Sequence, residues 1–429
     1  MKESKLEKLI NSIESLLTPI SAKLTEIHIL QAVAQTMQIV VPIYVIGGFA
    51  TLFGYVDIGF WQNILTNVPI LATIFKTIKF LTLDIISLYI VVVLPYRYAL
   101  QLNVKNPFGT IIINLASFLL LSPVVMGPDA NISAGWLGFK GMFTSFLLSY
   151  VVVRLYKLLV EKGVTIKMPP SVPNYVIESF SALLPAMIIV PIFGVLGQLM
   201  SLTSYGTFHN MIYSVIQAPL QGIGSSFWSF LLFSIVGPLS FFLGIHGSSA
   251  TAIWRPIYEA NSLENTELFA QGLKAVHLFD KGTMATAAIG GCGSCLAPAI
   301  LLLIFMKSKR LKEVGKVAAI PQLFNISEPM IFGLPIMLNP LLFIPYMSSN
   351  IVNCIVSWVT RAVGLVQYTG LDPSWTIPMV VKAFFVSQTP IACAIVQLCL
   401  IIVDGIIWYP FLKALDKRYL FDEEAEKNN

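Results

Sequence analysis

Long apolar runs alternate with short polar segments along most of the chain, and about 20 apolar residues suffice for a spanning helix. This pattern predicts spans near 33–54, 81–100, 108–126, 138–159, 177–200, 226–245, 283–306, 336–360 and 388–412. Residues 55–80 are mixed, and Lys76 and Lys79 make them poor spanning material. Residues 1–30 place Leu6, Leu9, Ile10, Ile13, Leu16 and Leu17 at helical spacing, with Lys2, Lys5 and Lys8 on the other side. That reads as an amphipathic helix on the inner membrane surface; the plainer reading is a solvated helix packed on the domain. Tyr205, Phe208, Met211, Ile212 and Val215 suggest a second surface helix over 205–223, on the outer side. The expected fold is an all-α polytopic membrane protein with re-entrant hairpins and amphipathic surface helices.

Basic residues set the topology. They cluster at Lys2/Lys5/Lys8, Arg97/Lys105, Arg154/Lys157/Lys162/Lys167, Lys307/Lys309/Arg310/Lys312/Lys316 and Lys413/Lys417/Arg418. The positive-inside tendency makes every cluster cytoplasmic. Parity then forces residues 246–282 across the membrane, although they carry Arg255, Glu259, Glu264, Glu267, Lys274 and Asp280. So polar a crossing cannot face lipid and is expected to be partly re-entrant, buried against other spans. About ten crossings result, with both ends inside. After the N-terminal helix, the expected division is a transmembrane and dimerisation region over 31–203, a substrate-binding region over 204–415 and a cytoplasmic tail over 416–429. The acidic end, Asp422–Asn429, is expected to be disordered. The polar broken segments 246–282 and 313–335 point to the binding site of a transporter.

Composition agrees. The 429 residues are 56% hydrophobic and only 11% charged, with net charge +5, which fits membrane orientation rather than nucleic-acid binding. Mean hydropathy is +0.78. The Cys number 5, in or beside apolar segments, so no disulfide framework is expected. No signal peptide is expected at the start.

One stretch stands out, Phe324-Asn325-Ile326-Ser327-Glu328-Pro329-Met330-Ile331-Phe332-Gly333. A carboxylate on broken backbone at membrane depth must be buried in protein or face a watery cavity. Glu328 is suited to accept a hydrogen bond from a sugar hydroxyl, to carry a proton or to bind a cation; the plainer reading is a buried ion pair with Arg255 or Lys140. Pro329 is expected to push Glu328 out of helix. Asn325 is a further candidate substrate contact. His246, between Gly244 and Gly247, can take or give a proton near neutral pH, or merely cap a helix end. Arg255 offers a bidentate fork for an anion, or pairs with Glu259. Lys140 contacts substrate or snorkels to the interface. Trp254 and Trp375 are candidates for stacking on a sugar ring, although interfacial aromatics are common. His28, His209 and His277 read as structural. Cys292-x-x-Cys295 lacks further zinc ligands nearby and, among small residues, reads as close helix packing. No metal, cofactor or Walker-type loop is expected, so ATP-driven transport within this chain is not.

Leu137-Gly-Phe-Lys140-Gly-Met-Phe, Met168-Pro-Pro-Ser-Val-Pro173 with Ser179-Phe-Ser-Ala-Leu-Leu-Pro185, Gly244-Ile-His246-Gly and Phe324–Gly333 occur in this order. Together they resemble the membrane-embedded IIC permease of the sugar phosphotransferase system, in its lactose/cellobiose/N,N'-diacetylchitobiose family. The resemblance implies a homodimer in the bacterial cytoplasmic membrane. A β-linked disaccharide would bind outside and move inward, its 6-hydroxyl receiving phosphate from a phosphocysteine on EIIB, which EIIA serves. The residues matching Glu328 and His246 bind that hydroxyl in such members, and the permease subunit itself does not phosphorylate. Where many cellobiose-type members carry Gly-Gly-Asp-Trp-Arg, this chain reads Ser387-Gln388-Thr389-Pro390-Ile391-Ala392. The short stretch after Leu415 holds no room for a fused EIIB domain, so EIIB is expected as a separate protein. The alternative is a proton-coupled secondary sugar transporter in which Glu328 carries the proton.

Overall fold

The computed structural model describes the chain apart from residues 1–26, 56–58, 127–130, 167–168, 170–171, 224, 244–250, 252–253, 335, 372–373, 375 and 429. The expected N-terminal surface helix therefore lies almost wholly outside the described residues. Internal contacts divide the chain into one unit of residues 25–54 and 63–222 and another built mainly from 223–429.

In the first unit, α1 (His28–Ile39) and α2 (Val41–Tyr55) meet at a 48° bend. Then come α3 (Pro69–Thr82), α4 (Ile86–Gln101), α5 (Pro107–Leu121), α6 (Met142–Glu161), α7 (Asn174–Ser201) and α8 (Phe208–Ile223). A short antiparallel ribbon pairs β1 (Val124–Val125) with β2 (Asn131–Ile132). The core follows α4, where Ile86, Ile90, Leu94 and Tyr98 recur at helical spacing and are all but fully buried. Polar residues pin the apolar helices together, as expected where lipid removes the hydrophobic drive. Asn114 Nδ2 of α5 donates to Val91 O (2.9 Å) and to Ser149 Oγ (3.0 Å). His209 is buried, 3.0 Å from Ser122 Oγ through Nε2 and stacked on Trp136.

The second unit contains α9 (Phe227–Phe242), α10 (Arg255–Ala270), α11 (Lys281–Ala287), α12 (Leu296–Ile304), α13 (Lys309–Leu323), α14 (Glu328–Gly333), α15 (Pro340–Ala362), α16 (Ala383–Val386) and α17 (Pro390–Asn428). Helix α15 packs against α9, α11 and α17, and α12 against α13 and α17. The polar α10 is largely buried within protein. Its Asn261 donates to Phe279 O (3.0 Å) and its Asn265 to His277 O (2.8 Å). Arg361 braces the following loop by donating to Ala275 O, His277 O and Thr283 Oγ1.

Among the described residues, five helices are long and apolar enough to cross a membrane, or up to seven if each bent pair is one span. The structure departs from the sequence reading in definable ways. The apolar run 283–306 is not one helix. It divides into α11 and α12 around a hairpin in which Gly290, Gly291, Gly293 and Ser294 all take positive φ. The mixed stretch before residue 80 forms α3, which continues through a short 3-10 turn into α4. The acidic tail is not disordered, because α17 runs on to Asn428. Asp416 Oδ1 accepts from Lys307 N (2.9 Å) and Ser308 N (2.8 Å), and Glu423 Oε1 from Arg310 N (3.1 Å). Those carboxylates satisfy the free N–H groups at the start of α13, where negative charge is also favoured by the helix dipole.

Candidate functional site

The site begins where α13 stops. Asn325 has φ +61, in the left-handed region that Asn tolerates better than most residues. Ile326 N donates to Pro321 O (3.0 Å) and Asn325 N to Gln322 O (3.1 Å), which closes the helix as a Schellman motif. The break thus precedes Glu328. Pro329 does not break a helix but helps start one, since Glu328 opens α14 and Pro329 sits in its first turn, where a missing N–H costs nothing.

The turn meets the hairpin. Asn325 Oδ1 accepts from Gly290 N (3.2 Å), and Asn325 Nδ2 donates to Ile377 O (3.0 Å). A Cβ on Gly291 would collide with the Asn325 carbonyl, and one on Gly293 with the Tyr346 ring. These glycines are needed because backbone passes against backbone and against an aromatic face. The Glu328 carboxylate lies within electrostatic reach of the Cys292 thiol and the Tyr346 hydroxyl.

Beside this junction is a cavity of about 320 Å³, near the lower end of the usual range for ligand sites. Phe233, Tyr258, Gly291, Cys292, Asn325 and Lys382 are among its lining residues. The glycine-rich Cys292 stretch, expected only to pack helices, therefore forms part of a cavity wall. Lys382 brings a cation to that wall although it is only 4% exposed.

The remaining candidates are distributed as follows. Trp254 stacks on Phe233 (centroids 5.1 Å apart) and belongs to an aromatic cluster with Phe279 and Tyr258. Arg255 starts α10 and faces Glu259 at 3.9 Å, while Lys281 holds the same carboxylate at 2.7 Å. Lys140 belongs to the first unit, exposed, with Nζ 5.9 Å from the Phe139 ring centroid. His246 and Trp375 lie outside the described residues. Sequence reasoning missed Phe233, Tyr258 and Lys382. The first two carry no local signal, whereas Lys382, in Val380-Val381-Lys382-Ala383-Phe384, stands out as a cation in an apolar stretch.

A family description, "Phosphotransferase system, EIIC", matches residues 34–349. The chain belongs to the phosphotransferase EIIC family. It is a polytopic EIIC sugar permease component, and this membership disfavours the proton-coupled alternative. The chain is 32% identical to the oligo-beta-mannoside-specific EIIC component of Bacillus subtilis (strain 168), over 97% of this chain and 96% of the relative. It is 29% identical to the cellobiose-specific EIIC component of Geobacillus stearothermophilus, over 98% and 97%. The crystal structure of the transporter ChbC, the IIC component from the N,N'-diacetylchitobiose-specific phosphotransferase system, superposes with TM-score 0.90 at 27% identity. That match covers 96% of this chain and 99% of the other.

Proposed function

We propose that this EIIC chain takes up a β-linked disaccharide of the cellobiose, diacetylchitobiose or lactose type and delivers it to a separate phospho-EIIB. The observation that carries the reading is the Asn325–Glu328 turn, whose Asn325 lines a cavity and is braced by the glycine hairpin. The specificities named for the relatives above, oligo-β-mannoside, cellobiose and N,N'-diacetylchitobiose, support a β-linked sugar. In the reaction, the S–P bond of the EIIB phosphocysteine breaks and a bond forms from phosphorus to the sugar O6. The hydroxyl proton passes to Glu328 or His246, and the Cys thiolate leaves on EIIB. A carboxylate and an imidazole serve such a hydroxyl by orienting it and taking its proton. The working unit is a homodimer in the bacterial cytoplasmic membrane with both termini inside, and EIIA recharges EIIB.

The test uses right-side-out vesicles holding the full chain, with labelled cellobiose outside and EIIB inside. Sugar 6-phosphate is expected in the lumen only when EIIB is phosphorylated. Accumulation of unmodified sugar in step with the proton gradient would overturn the proposal.

Lys382 is expected to offset phosphoryl charge, whereas Arg255 already faces Glu259. Fixed charge in a water-poor site acts strongly on a developing anion. Lys382→Met should lower sugar-phosphate formation roughly tenfold, with Lys382→Arg retaining most of it. A wild-type rate for Lys382→Met would remove Lys382 from the site.

A further inference from the structure

Asp404 lies in Ile401-Ile402-Val403-Asp404-Gly405-Ile406-Ile407 on α17, fully buried among apolar residues. A carboxylate in that setting needs a reason, since burying one is costly unless it is bonded. Its bonds lead to the site. Asn353 Nδ2 of α15 donates to Asp404 Oδ2 (3.0 Å) and to Ser294 Oγ (2.9 Å). Both Asn353 and Ser294 are also fully buried. An acceptor at Asp404 settles which end of the Asn353 amide faces this pair, because only the NH₂ end can donate. Ser294 has φ +54 and ends the glycine hairpin. That hairpin holds Asn325 through Gly290 N, and its Gly291 and Cys292 line the cavity. Glycines carry no side chain with which to anchor such a loop, so the Ser294 hydroxyl is a polar tether to α15.

We propose that Asp404 is a positioning residue for phosphoryl transfer, which acts through Asn353 and Ser294 to hold the hairpin, and with it the Asn325–Glu328 turn, in register with the sugar hydroxyl. The inference rests on the function proposed above. It makes Asp404 part of the reaction without contact with substrate. Misplacement by about 1 Å is enough to cost roughly a hundredfold in rate.

The experiment compares full-length wild type, Asp404→Leu, Asp404→Asn and Ser294→Ala in proteoliposomes. Sugar affinity is measured by equilibrium binding, and turnover with phospho-EIIB. Asp404→Leu should lower turnover by about 10- to 100-fold while sugar Kd moves by no more than about threefold. Asp404→Asn, whose carbonyl still accepts from Asn353, should stay within about threefold of wild type. Ser294→Ala should shift turnover in the same direction as Asp404→Leu, and the double variant should be no slower than Asp404→Leu alone. A folded Asp404→Leu that turns over normally overturns the proposal, as does an Asp404→Asn as slow as Asp404→Leu. If Asp404→Leu does not fold, normal turnover by Ser294→Ala overturns it. A wild-type protein that makes no sugar phosphate sinks the function itself instead, and so the two failures are told apart.

Discussion

Glu328→Gln should lower sugar phosphorylation by about 10²- to 10⁴-fold while leaving sugar binding and exchange largely in place. Gln keeps the size of Glu and its carbonyl acceptor, so a sugar hydroxyl still finds a partner. It cannot accept the proton that O6 must lose when phosphorus bonds to it. A positioned base contributes about 10²- to 10⁴-fold, and turnover with phospho-EIIB should fall by that order. Binding of cellobiose should change by no more than about tenfold, because a neutral hydrogen bond replaces a charged one at one atom. Exchange of unmodified sugar across proteoliposomes should continue. Counterflow and phosphate-product assays on the same preparation read the two activities separately. Turnover within tenfold of wild type would show that Glu328 is not the proton acceptor. A variant that neither binds nor exchanges sugar would instead assign Glu328 to holding the substrate.

Much of this site is legible in the sequence because it departs from its surroundings. A carboxylate, an asparagine and a proline inside an apolar chain mark a broken helix at depth, and the structure places a left-handed Asn325 and a new helix start there. The direction of the break was not legible. Pro329 is compatible with ending a helix or with starting one, and only the Schellman bonds around Asn325 decide between them. The hairpin escaped for a different reason. Residues 283–306 are apolar throughout, and hydropathy does not distinguish a continuous helix from two short ones. Its signal was the cluster of Gly290, Gly291 and Gly293, which does pack closely but also marks positive φ. Asp404 is visible by the same rule as Glu328, one carboxylate in an apolar run, but no adjacent proline or glycine pair marks a break there. Phe233 and Tyr258 were illegible because a pocket is made by elements distant in sequence. The docking of α17 on α13 likewise joins Asp416 and Glu423 to backbone more than 100 residues earlier, a pairing that charge composition alone does not suggest.

The hairpin also sets the largest expected effect on stability. Gly293 combines φ +76 with the Tyr346 ring where its Cβ would be. Gly293→Ala therefore meets two separate costs. Left-handed backbone disfavours an L-residue by about 1–2 kcal/mol. Forcing a methyl group into a packed aromatic contact adds about 1–3 kcal/mol. The sum, about 3 kcal/mol, is a large fraction of the stability of an ordinary domain. Thermal unfolding of detergent-solubilised Gly293→Ala should show a clear fall in Tm, and Gly293→Val should yield little folded protein. The two costs are separable by a double-mutant cycle. Tyr346→Leu removes the ring, so Gly293→Ala on that background should cost only the backbone term, a coupling of about 1–3 kcal/mol. Additive effects would mean that the ring yields without strain and that backbone conformation alone requires glycine. Folded Gly293→Ala should also turn over more slowly than wild type, since the displaced hairpin carries Gly291 and Cys292 of the cavity wall. By contrast Gly364, which ends α15 at φ +77 with nothing near its Cβ position, should lose only the backbone term on change to Ala and keep its activity. The difference between the two variants isolates what the Tyr346 contact demands from what a left-handed turn demands anywhere.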